Sequence, residues 1–326
     1  MTTALTLTDY IASPKPLISQ VAKILHKTSR FMSVLPFKDI AALSAEAWRE
    51  GAVLPNVGWR DIGADHGSVV AVKPDKVNFN VYSIGNEIIV DKMYARDTST
   101  RLVDPMTYQT TMVTKAIARN FNNIVINGLP SDLKNPIGLW HRTTNDLASS
   151  QLINAAVDIS PDTASMATAV QNMIDKLDQL LYAVNDNIEI GGNGVYLLCN
   201  STTLFRINSI FRQSGLVNES KDTLGRIWMD YKGAKFIDMG LKYDETTKVI
   251  GDAENGTALS GGGATSIYAV KTGEEFFTGI QEYGLEVSDF ELMDDKVTYK
   301  SVIDWAVGLA LVHPRSVARL YGITAA

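Results

Sequence analysis

One cysteine, Cys199, stands in the whole of this 326-residue sequence, and histidine is nearly as scarce, with His26, His66, His141 and His313. A single thiol forms no internal disulfide and no thiolate metal cage. Within Val195-Tyr196-Leu197-Leu198-Cys199 it reads as a small buried apolar residue. The histidines fall in no His-Glu-x-x-His or similar ligand spacing. The glycine groups Gly191-Gly192-Asn193-Gly194 and Gly261-Gly262-Gly263 lack the Lys-Ser/Thr that completes a phosphate loop, and they lack the Gly-x-Gly-x-x-Gly spacing of a dinucleotide fold. Turns explain them better. There is no Gly-x-Ser-x-Gly elbow, and the carboxylate pairs Asp294-Asp295 and Glu274-Glu275 are adjacent in sequence, which aims their side chains apart. Asp61, Asp65 and His66 come nearest to a cation-binding group, but three such residues on a turn are ordinarily just solvated. No catalytic residue, cofactor site or metal site is expected.

Long apolar runs are missing too: none approaches the ~20 residues needed to cross a bilayer. The start, Met1-Thr2-Thr3-Ala4-Leu5-Thr6, lacks the charged opening and continuous apolar segment of a secretory signal. The expectation is a soluble protein of a cytoplasm with no membrane partner. In that compartment the sequons at Asn200, Asn218 and Asn255 carry no glycan.

What is present is ordinary globular material, 45% hydrophobic and 20% charged, in a chain long enough for one large core or two modest ones. The formal net charge is −6, so the whole surface is not built to wrap a nucleic-acid backbone. One stretch differs. From Met1 to Lys38 only Asp9 opposes Lys15, Lys23, Lys27, Arg30 and Lys38. The plain reading of this basic arm is a solvated helix face; the functional one is that Lys15, Lys23, Lys27 and Arg30 contact DNA or a scaffold protein.

Leu17, Ile18, Val21, Ile24 and Leu25 follow helical spacing after Pro16, which predicts one amphipathic helix whose apolar face its own domain or a neighbour must cover. From Glu46 to Asp91 the pattern turns to strands, with alternation in Val77-Asn78-Phe79-Asn80-Val81-Tyr82 and a turn at Gly63-Ala64-Asp65-His66-Gly67. This predicts a long hairpin with arms around Trp48 to Ile62 and Ser68 to Tyr82. Two-stranded hairpins are marginal in water, so it should lie against another surface. Asp104-Pro105 starts a long helix that Gly128 and Pro130 end. Ser160-Pro161 starts another; a strand over Val195 to Cys199 and a helix opened by Asn200 or Ser201 follow, as in a mixed α/β region. Gly251 to Gly263 reads as a surface loop, and strands are predicted at Ser266 to Val270, Tyr283 to Phe290 and Val297 to Val312.

Two stretches of local sequence sharpen this order. Leu35-Pro36-Phe37, then Arg49-Glu50-Gly51 and Leu54-Pro55-Asn56-Val57-Gly58-Trp59-Arg60, resemble the entry into the extended loop of the Hong Kong 97-type major capsid proteins of tailed bacteriophages. The ending, with Asp304-Trp305-Ala306-Val307-Gly308-Leu309 and His313-Pro314-Arg315-Ser316-Val317-Ala318-Arg319-Leu320, is similar to their closing strand and final segment. The resemblance covers nearly the whole chain and rests on packing patterns, not catalytic signatures.

The resemblance implies an α+β protein. It has an N-terminal arm (residues 1–45), an extended hairpin loop (46–82), a peripheral domain with a spine helix at 104–128 (83–130 and 283–305), and an axial α/β domain (131–282 and 306–326). It implies a structural, non-enzymatic protein of the virion capsid, assembled in a host bacterial cytoplasm. Its partners would be further copies of itself in pentamers and hexamers of an icosahedral shell, packaged double-stranded DNA, a portal protein, a separate scaffold protein and a decoration protein. With so short a segment before the loop, a built-in scaffolding region is not expected; Lys73 and Lys76 lie in or beside the loop, but no motif gives them cross-linking partners. In this reading the hairpin's missing core is the neighbouring subunit: Trp48, Val53, Leu54, Trp59 and Ile62 supply apolar anchors, and Arg49, Arg60, Asp61 and Asp65 set register by charge. The alternatives are a hairpin folded on its own domain, an encapsulin-like nanocompartment shell, a tail-tube or decoration protein, and an α/β enzyme supported only by the mixed region Ser160 to Phe211.

Overall fold

The computed structural model describes residues 16–49, 59, 61–63, 75–96, 104–160, 166–184, 194–215, 218–221, 227–254 and 264–325. Among these, fifteen strands form two large sheets and one two-stranded ribbon. In chain order they are β1 (Phe37–Asp39), β2 (Ser44–Arg49), β3 (Asp75–Asn80), β4 (Tyr82–Asp91), β5 (Leu152–Asp158), β6 (Val195–Cys199), β7 (Asn218–Lys221) and β8 (Ile227–Tyr231). Then come β9 (Ala234–Asp238), β10 (Ala264–Lys271), β11 (Phe277–Gln281), β12 (Glu286–Val287), β13 (Glu291–Leu292), β14 (Thr298–Leu311) and β15 (Val317–Thr324).

The first sheet is organised by β14, which pairs antiparallel with β4 over ten residues, from Thr298↔Asp91 to Val307↔Tyr82, and also with β11, β12 and β13; β1 adds to β11 in parallel. Over it lies the long helix Pro105–Asn127, where the sequence placed one. Asp104 caps it by accepting from the Met106 and Thr107 amides, Pro105 fills the first turn, and Gly128 closes it. Ile117, Phe121 and Val125 recur at helical spacing and are buried.

The apolar face of the arm helix Pro16–Thr28 is covered by its own chain: Val21, Ala22 and Leu25 are buried, and the helix packs on Pro105–Asn127. The segment after it continues into the core, with Phe31, Met32, Leu35 and Phe37 buried. The Phe37 ring lies 4.9 Å from that of Trp305 and 6.3 Å from that of Phe121. Gly279 makes room for it, because a Cβ there would overlap the Phe37 ring.

The second sheet has the order β5-β15-β10-β6-β9-β8-β7. Its central strands are apolar on both faces because both are covered. Leu197, Cys199, Phe236 and Ala269 face a core shared with the helices Met166–Val184 and Ser201–Ser214. Leu198, Ile237, Tyr268 and Val270 face the core of the first sheet. The helix Ser201–Ser214 is capped by Asn200, whose side chain accepts from the Thr203 amide, and ends at Gly215 with φ 70°, a left-handed conformation that suits glycine.

The elements differ from the sequence expectation in several places. The arm expected to run to Tyr82 gives out just before it: Tyr82 begins β4, which belongs to the first sheet, and the described ribbon is Ser44–Arg49 against Asp75–Asn80. Tyr283 to Phe290 does not form one strand. Only Glu286–Val287 and Glu291–Leu292 pair with β14, and Ser288 between them bonds Val302 through both its backbone amide (2.9 Å) and its side chain (2.7 Å). Val317–Thr324 is a full strand of the second sheet, paired with β10 and β5. Sheet membership also cuts across the segment boundaries set by resemblance: Phe277–Gln281 and all of Thr298–Leu311 lie in the first sheet, because one continuous strand spans position 305. The expected helix start at Ser160-Pro161 falls partly outside the described residues, with the helix described from Met166, and so does most of the loop Gly251 to Gly263.

Candidate self-association surface

The ribbon Ser44–Arg49 with Asp75–Asn80 alternates strictly. Ala45, Ala47, Val77 and Phe79 face the first core, with Phe79 buried and the Arg142 guanidinium 5.5 Å from its ring. Glu46, Trp48, Lys76 and Asn78 face outward. The base of the hairpin is thus seated on its own domain by one face, while the other carries a tryptophan that is 63% exposed. Lys76, directly opposite Trp48, sits 5.9 Å from its ring centroid and pairs with Glu46 at 2.5 Å. A lysine above an exposed indole holds the ring flat against the ribbon without covering it.

Beyond the ribbon, Trp59 and Ile62 are fully exposed at 107% and 106%, and Asp61 between them is exposed. Val53, Leu54, Arg60, Asp65 and the arm residue Lys15 lie outside the described residues, as does the side chain of Arg49. The possible cation group is in the same position, since only Asp61 of its three members is described; among the described residues no group of three His, Cys, Asp or Glu could hold a metal ion.

The structure separates the arm's basic residues. Lys23 and Lys27 stand one turn apart on the exposed face of the arm helix, beside a groove whose other walls include Pro16, Ile24 and Thr111. Arg30 does not join them. Its guanidinium lies 5.4 Å from the Trp228 ring, and its charge acts on Asp238, whose carboxyl burial pushes above the usual carboxylate range. That places Arg30 at the seam between the arm and the second sheet.

Two exposed apolar surfaces were not singled out from the sequence. One gathers Ile89, Met93, Tyr94, Leu292, Met293 and Val297 at the far end of β4 and β14. The other is the turn after the long helix, where Leu129 and Leu133 are exposed; Lys134, next in the chain, lines an open cavity of about 150 Å³ between the long helix and the strands β4 and β14. The available signal was Leu129-Pro130 and Leu133 inside an otherwise polar turn, where apolar residues have no core to enter.

No helix among the described residues is long and apolar enough to cross a membrane. No family model and no curated protein sequence matches the chain. Solved structures do. The chain is similar to the holo-SrpI encapsulin complex of Synechococcus elongatus PCC 7942 (14% identity, TM-score 0.61, covering 91% of this chain and 88% of that one). It is similar to the capsid of a native GTA particle (16% identity, TM-score 0.58, 90% of each chain), and to the capsid of the cyanophage P-SCSP1u (12% identity, TM-score 0.56, 91% and 89%). Identity this low carries the fold and nothing finer, and coverage this high carries it over most of the chain: the chain has the Hong Kong 97-type capsid fold.

Proposed function

We propose that the chain is a shell-forming subunit, and specifically the major capsid protein of a tailed bacteriophage, building an icosahedral shell around double-stranded DNA. The observation that carries the reading is the hairpin. One face of its base is fixed to the body by Phe79, and Trp48, Trp59 and Ile62 are presented to solvent. Three large apolar side chains left in solvent are a costly arrangement for a monomer and a useful one for a subunit that closes on its neighbours. The function is association. Each copy is gripped on several sides, so that many modest contacts add up. In this reading Lys23 and Lys27 of the arm helix contact packaged DNA or a scaffold protein, and portal and decoration proteins bind the assembled shell.

The fold is shared by an encapsulin complex, so a protein nanocompartment is the second reading. The phage reading is preferred on the loop-entry and closing segments of the sequence. Purified particles separate the two: co-purified DNA supports the capsid, and co-purified enzyme supports the nanocompartment. For self-assembly itself, deletion of residues 61–69 leaves a folded monomer that forms no particles. Intact shells from that variant would contradict the role given to the hairpin.

A further inference from the structure

The second sheet opens between two of its strands. β8 and β9 pair only at Tyr231↔Ala234 and Asp230↔Lys235. Before Asp230, β8 keeps β7 as its partner, and beyond Lys235, β9 keeps β6, so that Ile227 and Met229 are left facing Phe236 across a gap. The helix Ser201–Ser214 closes one side of the gap with Leu204, Asn208 and Phe211, and Arg30 of the arm closes another. What remains is an open cavity of about 170 Å³, of the size that accepts a benzene-like ring in a protein interior.

The walls are aliphatic and aromatic apart from two side chains. Asn208 is exposed and brings an amide. Arg30 brings the one charge among the described lining residues. Its guanidinium lies 5.4 Å from the Trp228 ring and makes no ion pair among the described residues. Asp238 feels that charge, but its carboxylate accepts from the Gly240 amide at 2.9 Å and is also under the charge of Lys248. The planar fork of Arg30 donors is therefore open to a carboxylate, the group whose geometry it matches. An apolar chamber with a single cation at its wall complements an apolar body that carries one negative charge. The volume limits that body to about one ring or one branched chain, which is too little for a peptide segment.

We propose that this cavity binds a small organic monocarboxylate, with its apolar body in the gap between β8, β9 and the helix Ser201–Ser214 and its carboxylate on Arg30. A ligand held there touches arm, helix and sheet at once, so occupancy ties the arm to the second sheet and stabilises the folded chain. The cavity shares no lining residue with the hairpin, and the site stands or falls independently of self-association.

The probe is phenylacetate, with phenylacetamide as its uncharged counterpart and acetate as the charge without the ring. Saturation-transfer NMR on the purified full chain reads all three. The proposal expects phenylacetate to bind with a Kd about tenfold or more below that of phenylacetamide, the size of a hydrogen bond to a charged group, and acetate to give no signal at the same concentration. Arg30→Met should remove that preference and keep the weak binding of phenylacetamide, and Arg30→Lys should restore part of it. Leu204→Trp, at a half-buried position of the wall, fills the chamber and should abolish binding of both ring compounds. If Arg30→Met does not fold, the comparison of probes on the unaltered chain and the Leu204→Trp variant decide. Equal affinity for the charged and uncharged rings, a preference that survives Arg30→Met, phenylacetate binding that survives Leu204→Trp, or no binding of phenylacetate at millimolar concentration would each overturn the proposal.

Discussion

At the scale of residues, buried polar groups hold the two sheets in register. Asn122 on the long helix accepts from the Ser29 hydroxyl at 2.6 Å and donates to the Met239 carbonyl at 3.2 Å, joining arm, helix and second sheet at one side chain. Replacing Asn122 with Ala strands both partners, and denaturant unfolding should show a loss of about 1–3 kcal/mol or more. Arg319 is 1% exposed and pairs with Glu254 at 2.8 Å, with Ser266 and Thr144 taking further guanidinium hydrogens. A Glu254→Leu change leaves that charge buried and unpaired, and should cost about 3–5 kcal/mol by the same measurement. Asp244 is a surface case. The Thr247 hydroxyl, then the Thr247 amide, hold its carboxyl at about 2, down from 3.8. A folded-state value below the unfolded one means that the stabilisation is present above pH 3.8 and is lost as pH falls toward 2. Thr247→Val should move the Asp244 titration, followed by NMR, back toward 3.8; an unmoved titration would contradict the hydroxyl's part. The Asn122 and Arg319 partners were not legible as pairs in the sequence, because each of those bonds spans dozens of positions and no local pattern encodes it.

At the scale of elements, the hairpin base turns one sequence pattern into two roles. Period-2 alternation sends Phe79 into the body and Trp48 away from it. Phe79→Ala should therefore destabilise the monomer by about 3–5 kcal/mol. Trp48→Ala should leave monomer unfolding nearly unchanged and weaken assembly by about 2 kcal/mol, seen as a higher critical concentration for particles. Equal effects of both changes on the monomer would contradict the division. Elements governed by local chemistry were legible: the Asp104-Pro105 start and Gly128 stop of the long helix, the Asn200 cap, and the buried run Val195–Cys199. Elements governed by distant pairing were not. The pairing of Tyr82–Asp91 with Thr298–Leu311, more than two hundred residues away, is one of them. Val317–Thr324 carries little alternation because the sheet buries it on both sides. On the candidate surface, Trp48, Trp59 and Ile62 stood out in the sequence as aromatic or aliphatic residues in a turn-rich segment, and the structure leaves them exposed. The open cavity lined in part by Lys134 could not be read there, because its walls come from four separate stretches of chain, 82–85, 120–124, 134–136 and 307–309.

At the scale of the whole molecule, arm, long helix and two sheets form a body that leaves apolar surface exposed among the described residues, at the hairpin, at Leu129 and Leu133, and at the end of β4 and β14 at Met93 and Met293 among other places. A monomer gains nothing from this distribution, whereas a shell subunit needs contacts on every side. The fold shared with capsids and an encapsulin complex agrees with that use of the surface. Assembly should also respond to salt unevenly. Charged contacts between copies are screened within a Debye length of about 8 Å at physiological ionic strength, while apolar contacts are not, so high salt should slow closure without dissolving finished particles. Electron microscopy of the purified, full-length chain tests the central claim most directly. The account predicts closed icosahedral shells of uniform size, or tubes and sheets of the same subunit, whereas a monodisperse monomer at concentrations well above micromolar would contradict it.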